Sequence, residues 1–138
     1  VLYHPDPSLL TGLCDGLHRA GLPLVAMCNS TIDPDLRAAL ERQCGVTFLG
    51  DGTNAGLGAA LNAVMTAAES AGFTHVILFD QDSTPSPDLP RALLERAHEI
   101  AGALGAIGPR LTPPPGESYK PIWYSYRGGG RPGARPVD

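Results

Sequence analysis

The chain has 138 residues, 43% of them hydrophobic, enough for one domain with a sizeable core and too few for a second full domain. Its formal charge of -4 and its single lysine, Lys120, give no basic patch for neutralising a phosphate backbone, which sets nucleic acid aside as a partner. No apolar run approaches the roughly 20 residues that span a bilayer, and no charged segment followed by a hydrophobic stretch marks a signal peptide, so the chain reads as soluble.

Val1-Leu2-Tyr3 reads as the end of a first strand, and the absence of an initial methionine there suggests an excised piece of a longer protein. His4-Pro5-Asp6-Pro7 excludes regular pairing and supplies an N-cap and first helical position. A helix follows from Pro7 to Ala20, with Leu9, Leu10, Leu13 and Leu17 at helical spacing and Gly21 at its end. Leu22 to Cys28 reads as a second strand with Asn29-Ser30-Thr31 as its polar exit. Asp33-Pro34 opens the next helix, which carries Leu36 and Leu40 inward and stops at Gly45. Val46 to Leu49 is a third short strand. The loop from Gly50 to Gly58 then has four glycines in nine residues, a composition that lets backbone approach a ligand or another backbone closely. Ala59 to Ala71 reads as a helix with a small-residue face of Ala60, Ala63, Val64, Ala67 and Ala68.

Thr74 to Phe79 reads as a fourth strand, its Val76-Ile77-Leu78-Phe79 apolar enough to be buried on both faces. It stops at Asp80-Gln81-Asp82. Pro87 to Ala101 is a further helix, with Leu89, Leu93, Leu94, Ala97 and Ile100 on its apolar side, and Leu104 to Ile107 a fifth strand. Strands alternating with helices through short links imply a parallel α/β sheet with right-handed crossovers. From Thr112 the composition changes to Pro113-Pro114-Pro115 and Gly128-Gly129-Gly130 around Tyr119, Trp123, Tyr124 and Tyr126, a loop or tail that the aromatics would pin. The cysteines Cys14, Cys28 and Cys44 are odd in number and widely spaced, and each falls within or beside an apolar stretch; they read as buried reduced thiols of a cytoplasmic protein.

Taken alone, Asp80-Gln81-Asp82 is a polar turn that leads into a helix. Its position gives it more weight. Loops that leave the carboxyl ends of parallel strands open on one edge of the sheet, so His4, Asn29 to Thr31, Asn54 to Gly58 and Asp80 to Ser83 should converge there. Two carboxylates so close repel unless a cation or a shared proton separates them. Asn54 can donate or accept, and Gly56 and Gly58 allow close contact at a helix start, where unpaired amides favour anions. Together these residues suggest a nucleotide diphosphate held by a divalent cation.

The opening Val1-Leu-Tyr-His-Pro-Asp6, the run Asn54-Ala-Gly-Leu-Gly-Ala-Ala-Leu-Asn62 and Val76-Ile-Leu-Phe-Asp-Gln-Asp-Ser83 resemble the nucleotide-sugar half of a family 2 inverting glycosyltransferase of the GT-A fold, and within it the bacterial rhamnosyltransferases. The similarity covers about residues 1 to 110 in that family's order. It implies a Rossmann-like (GT-A type), mostly parallel sheet of about five strands with flanking helices over residues 1 to 111. Residues 112 to 138 would be a Pro/Gly-rich tail leading toward an acceptor-binding half. It further implies that Asp80 lies toward the ribose and a Mg2+ or Mn2+ ion, with Asp82 on the metal that bridges the diphosphate. Tyr3 and His4 would lie near the base, and Asn54, Gly56 and Asn62 beside the nucleotide. The implied partners are a dTDP-, UDP- or GDP-sugar donor and a saccharide or lipid-linked acceptor. The implied location is cytoplasmic, with peripheral membrane association of the full-length protein.

Two departures stand out. Where the family usually has an aspartate after the second strand, this chain has Cys28-Asn29-Ser30, so contact with the nucleotide weakens or passes to Asn29. The family's general base belongs to the acceptor-binding half, and no residue of these 138 takes that role. A non-catalytic module that binds a sugar nucleotide or a protein is therefore a competing reading. Another is a haloacid-dehalogenase-type phosphatase with Asp80 as nucleophile, which needs a downstream lysine and acidic pair where this chain has Lys120 and Asp138.

Overall fold

The structure, a computed structural model, describes residues 1–100 and 105–109. The helices and strands of the described residues lie in one compact unit, Val1–Ile107. A second unit, Gly108–Asp138, falls outside the described residues except for Gly108 and Pro109, and Lys120 and the tail aromatics fall outside with it.

The first two helices begin where their Asp-Pro pairs put them. Asp6 accepts from the amides of Ser8 and Leu9 at the start of α1 (Pro7–Arg19), and Asp33 accepts from those of Asp35 and Leu36 at the start of α2 (Pro34–Cys44). In each, the proline occupies a position whose N–H would have had no partner. Gly45 closes α2 in the left-handed conformation at φ 66°. On α1 the buried residues are Leu10, Leu13, Cys14 and Leu17, while Leu9 is 49% exposed. Positions 10, 13, 14 and 17 are the i, i+3, i+4, i+7 stripe, and Leu9 falls just beside it.

Strand β1 (Val25–Met27) pairs in parallel with β2 (Thr47–Leu49), and Leu2 forms a single parallel bridge to Cys28 on the other edge of β1. The bridge is closed by Leu2 N–H donating to the Met27 carbonyl and by Asn29 N–H donating to the Leu2 carbonyl, both at 2.8 Å. Leu2, Leu10, Cys14, Leu40, Cys44 and Val46 make the main core, with Leu24, Ala26, Ile32, Leu36 and Phe48 packed against it. Helix α1 packs on α2, and α3 (Leu57–Ser70) packs on β1. The buried residues of α3 are Ala60, Val64 and Ala68, four apart, and small enough to bring the helix close. On α4 (Leu89–Glu99) only Pro90 is buried, and Leu94 is 42% exposed.

The architecture is mixed α/β with a two-stranded parallel sheet, smaller than the five strands expected. The run Thr74–Phe79, expected as a fourth strand, has no ladder, and its Leu78 is 53% exposed. A parallel ladder needs an edge several residues long, and next to this run the first strand offers one bridging residue, Leu2. Residues 105–107 of the expected fifth strand likewise carry no regular structure, and Leu104 lies outside the described residues. No helix among the described residues is long and apolar enough to cross a membrane.

Candidate functional site

A cleft of about 620 Å³ opens at the carboxyl ends of the strands. It is lined by Asp80, Gln81 and Asp82 from the acidic loop, by Asn54, Gly56 and Leu57 from the glycine loop and the start of α3, and by Val1, Tyr3 and Asn29. The first strand and β2 flank β1 on opposite edges, and the acidic loop attaches to the far side of the first strand through Gln81 and Tyr3. That order reverses the direction in which the sheet grows, the position where open α/β sheets collect ligands.

Asn29 organises the floor. It is 5% exposed, and its Nδ2 donates to Asn54 Oδ1 at 3.0 Å while its own Oδ1 accepts from the Ala55 amide at 2.8 Å. Asn54 Oδ1 also accepts from the Gly56 amide at 2.9 Å. One buried side chain at the exit of β1 thereby fixes a loop 25 residues further on. Gly56 closes that loop at φ 81° and ψ 158°, a conformation open to glycine and strained for other residues. It is the N-cap of α3 and provides no side-chain acceptor, so the first amides of the helix start uncapped beside the cleft, with the positive end of the helix dipole behind them.

Asp80 and Asp82 are exposed, and among the described residues neither has an ion-pair partner. The Ser83 amide donates to the Asp80 carbonyl at 3.0 Å and makes the turn that carries the pair. Among the described residues no three His, Cys, Asp or Glu side chains group together as a ready cation cage. Two carboxylates on one turn beside this volume offer hard oxygen donors of the kind that Mg2+ or Mn2+ takes, too few by themselves to complete its shell. The residues present fit that ion.

Of the residues singled out in sequence, Tyr3, Asn29, Asn54, Gly56, Asp80 and Asp82 all line this cleft. His4 and Asn62 do not. His4 sits beside it in a left-handed conformation at φ 47°, its amide donating to Ser30 Oγ at 2.7 Å and its ring edge-on to Tyr3 at 4.5 Å. Asn62 is exposed on α3, about 140° around the helix from Leu57 at 100° per residue, which turns it away from the cleft. Cys28 is buried at 3% exposure and outside the lining, its thiol pushed up from the ordinary value by burial against an opposing pull from Arg37. Asn29, the next residue, occupies the lining instead.

Val1, Leu57 and Gln81 also line the cleft, and the sequence assigns none of them a role of its own. Leu57, 65% exposed, adds an apolar wall, and a large aliphatic residue inside a glycine loop is the signal for it. Gln81 binds the backbone of Tyr3, and its only sequence signal is an amide side chain between two carboxylates. No family model, curated protein or solved structure matches this chain.

Proposed function

We propose that this chain is the donor-binding part of a metal-assisted glycosyltransferase of the GT-A type that takes its sugar from a nucleotide-diphosphate sugar and inverts the anomeric carbon. The observation that supports it is the pairing within one cleft of Asp80 and Asp82 with the uncapped start of α3. For a carboxylate pair and a row of amide donors, a diphosphate with a bridging divalent cation is the ligand whose charges suit both. On this reading the two-stranded sheet is the middle of a Rossmann-like sheet of about five strands, with Thr74–Phe79 and the segment ending at Ile107 as further members. Cytoplasmic location, with peripheral attachment to a membrane in the full-length protein, belongs to the same proposal.

The roles of the residues follow from their chemistry. Asp82, with Asp80, would hold Mg2+ or Mn2+, which supplies Lewis-acid neutralisation of the charge that collects on the departing diphosphate. Asp80 reaches toward the ribose. Tyr3 gives the base an aromatic wall, with His4 behind it. Asn54 and the uncapped amides of α3, from Leu57 on, orient the phosphates, and Asn29 keeps that loop in place. An acceptor hydroxyl oxygen then bonds to the anomeric carbon as the bond from carbon to phosphate oxygen breaks. The electron pair leaves with the diphosphate and the hydroxyl proton goes to a base outside the described residues.

Calorimetry with dTDP, UDP and GDP, each with and without Mn2+, tests the proposal. Binding that requires the cation and is lost in Asp82→Ala is the expected result; a folded sample that binds none of the three removes it. A second reading, a donor-binding module without turnover, has one observation in its favour: among the described residues, the carboxylates of the cleft are only the pair assigned to the cation. Hydrolysis of the sugar nucleotide by the full-length protein separates the two.

A further inference from the structure

We infer that Gln81 is the positioning residue of this cleft, locking the loop of Asp80 and Asp82 to the end of the first strand and so fixing both carboxylates in the cleft that the start of α3 also lines. The Tyr3 amide donates to Gln81 Oε1 at 2.8 Å, and Gln81 Nε2 donates to the Tyr3 carbonyl at 3.0 Å. The two residues are 78 positions apart in sequence. A primary amide presents the same donor and acceptor as a peptide group, so the side chain stands in for one step of a β-ladder where Thr74–Phe79 has none.

Among the described residues the loop's other hydrogen bond is the local Ser83 to Asp80 turn, and both carboxylates are exposed. Negative charges one residue apart push each other away until a cation arrives, so a loop held only locally would spread and meet the ion unprepared. With Gln81 in place, the same clasp also joins the acidic loop to Tyr3, the aromatic element of the cleft. The side chain must both donate and accept to do this. Glutamate keeps the acceptor, loses the donor, and sets a carboxylate against the Tyr3 carbonyl; methionine keeps the length and loses both.

The inference rests on the cation site proposed above, and the test separates the two. Mn2+ alone is titrated into wild type, Gln81→Met and Gln81→Glu, read by the free Mn2+ spin-resonance signal, with melting temperature and amide exchange at Tyr3 measured on each. Expected are Mn2+ binding to wild type, about tenfold weaker binding to Gln81→Met, and severalfold weaker binding to Gln81→Glu in spite of its added negative charge. Melting temperatures should stay within a few degrees of wild type while the Tyr3 amide exchanges faster in both variants. Equal binding in Gln81→Met, or tighter binding in Gln81→Glu, overturns the positioning role and leaves the cation site standing, since charge alone then sets affinity. A folded wild type that binds Mn2+ neither alone nor with UDP present removes the cation site and the inference with it.

Discussion

Replacing Asn29 by alanine removes the tie between the exit of β1 and the glycine loop. Two hydrogen bonds are lost, Asn29 Nδ2 to Asn54 Oδ1 at 3.0 Å and the Ala55 amide to Asn29 Oδ1 at 2.8 Å. The site is 5% exposed, so water does not simply take their place. Each such bond is worth about 1 kcal/mol net, and the stranded Ala55 amide adds to the cost, giving about 2 kcal/mol for the variant. In a unit of this size that lowers the melting temperature by about 10 °C, a large part of a typical domain's stability. Asn54→Ala, at an exposed position, should cost about half as much. Urea denaturation of both single variants and the double variant gives a coupling energy, expected near 1 kcal/mol because the two side chains share a bond. Additive losses, or an Asn29→Ala variant within about 0.5 kcal/mol of wild type, would refute the assignment of Asn29 as the organiser of the cleft floor.

Gly56→Ala should destabilise by about 1–2 kcal/mol through backbone strain alone, since nothing lies within 4 Å of the added methyl. Gly58→Ala, inside α3 and equally unobstructed, should stabilise by up to about 1 kcal/mol, and opposite signs in parallel melts are the check. The Cys44 thiol, 2% exposed and donating to Asp15 Oδ1 at 3.2 Å, is pushed up by burial and by that carboxylate from the ordinary 9.0 to about 11. The fold favours the neutral thiol, so its stabilisation is complete below pH 9 and is lost as pH rises from 9 to 11, on the order of 2 kcal/mol, as pH-dependent denaturation would show. Asp15→Asn should lower that pKa and speed alkylation of Cys44 at pH 9; an unchanged rate would mean that burial acts alone.

The features legible in the sequence are those set by neighbouring residues. Asp6-Pro7, Asp33-Pro34 and Gly45 give the helix ends because a cap and its amides lie within one turn. The buried stripe of α3 follows from spacing. For Thr74–Phe79 the apolar content reports burial tendency only, whereas a ladder also needs a neighbouring edge, of which Leu2 provides one bridging residue. Convergence of Asp80, Asp82, Asn54, Gly56, Asn29 and Tyr3 was legible because parallel strands put their exits on one side. Gln81 was not, since a glutamine between two aspartates shows nothing of a partner 78 residues away. Asn62 was placed too generously, because sharing a motif with Asn54 does not put a helical residue on the same face.

The central claim is that one bound diphosphate meets both the carboxylate pair and the start of α3. Amide spectra of the protein with UDP, dTDP or GDP and a trace of Mn2+ test it most directly, because the ion broadens only the signals near it. Selective broadening at Asp80 to Ser83 together with Gly56 to Ala59, abolished in Asp82→Ala, is the expected result. Broadening at Asp80 to Ser83 alone, or centred elsewhere in the chain, would contradict it.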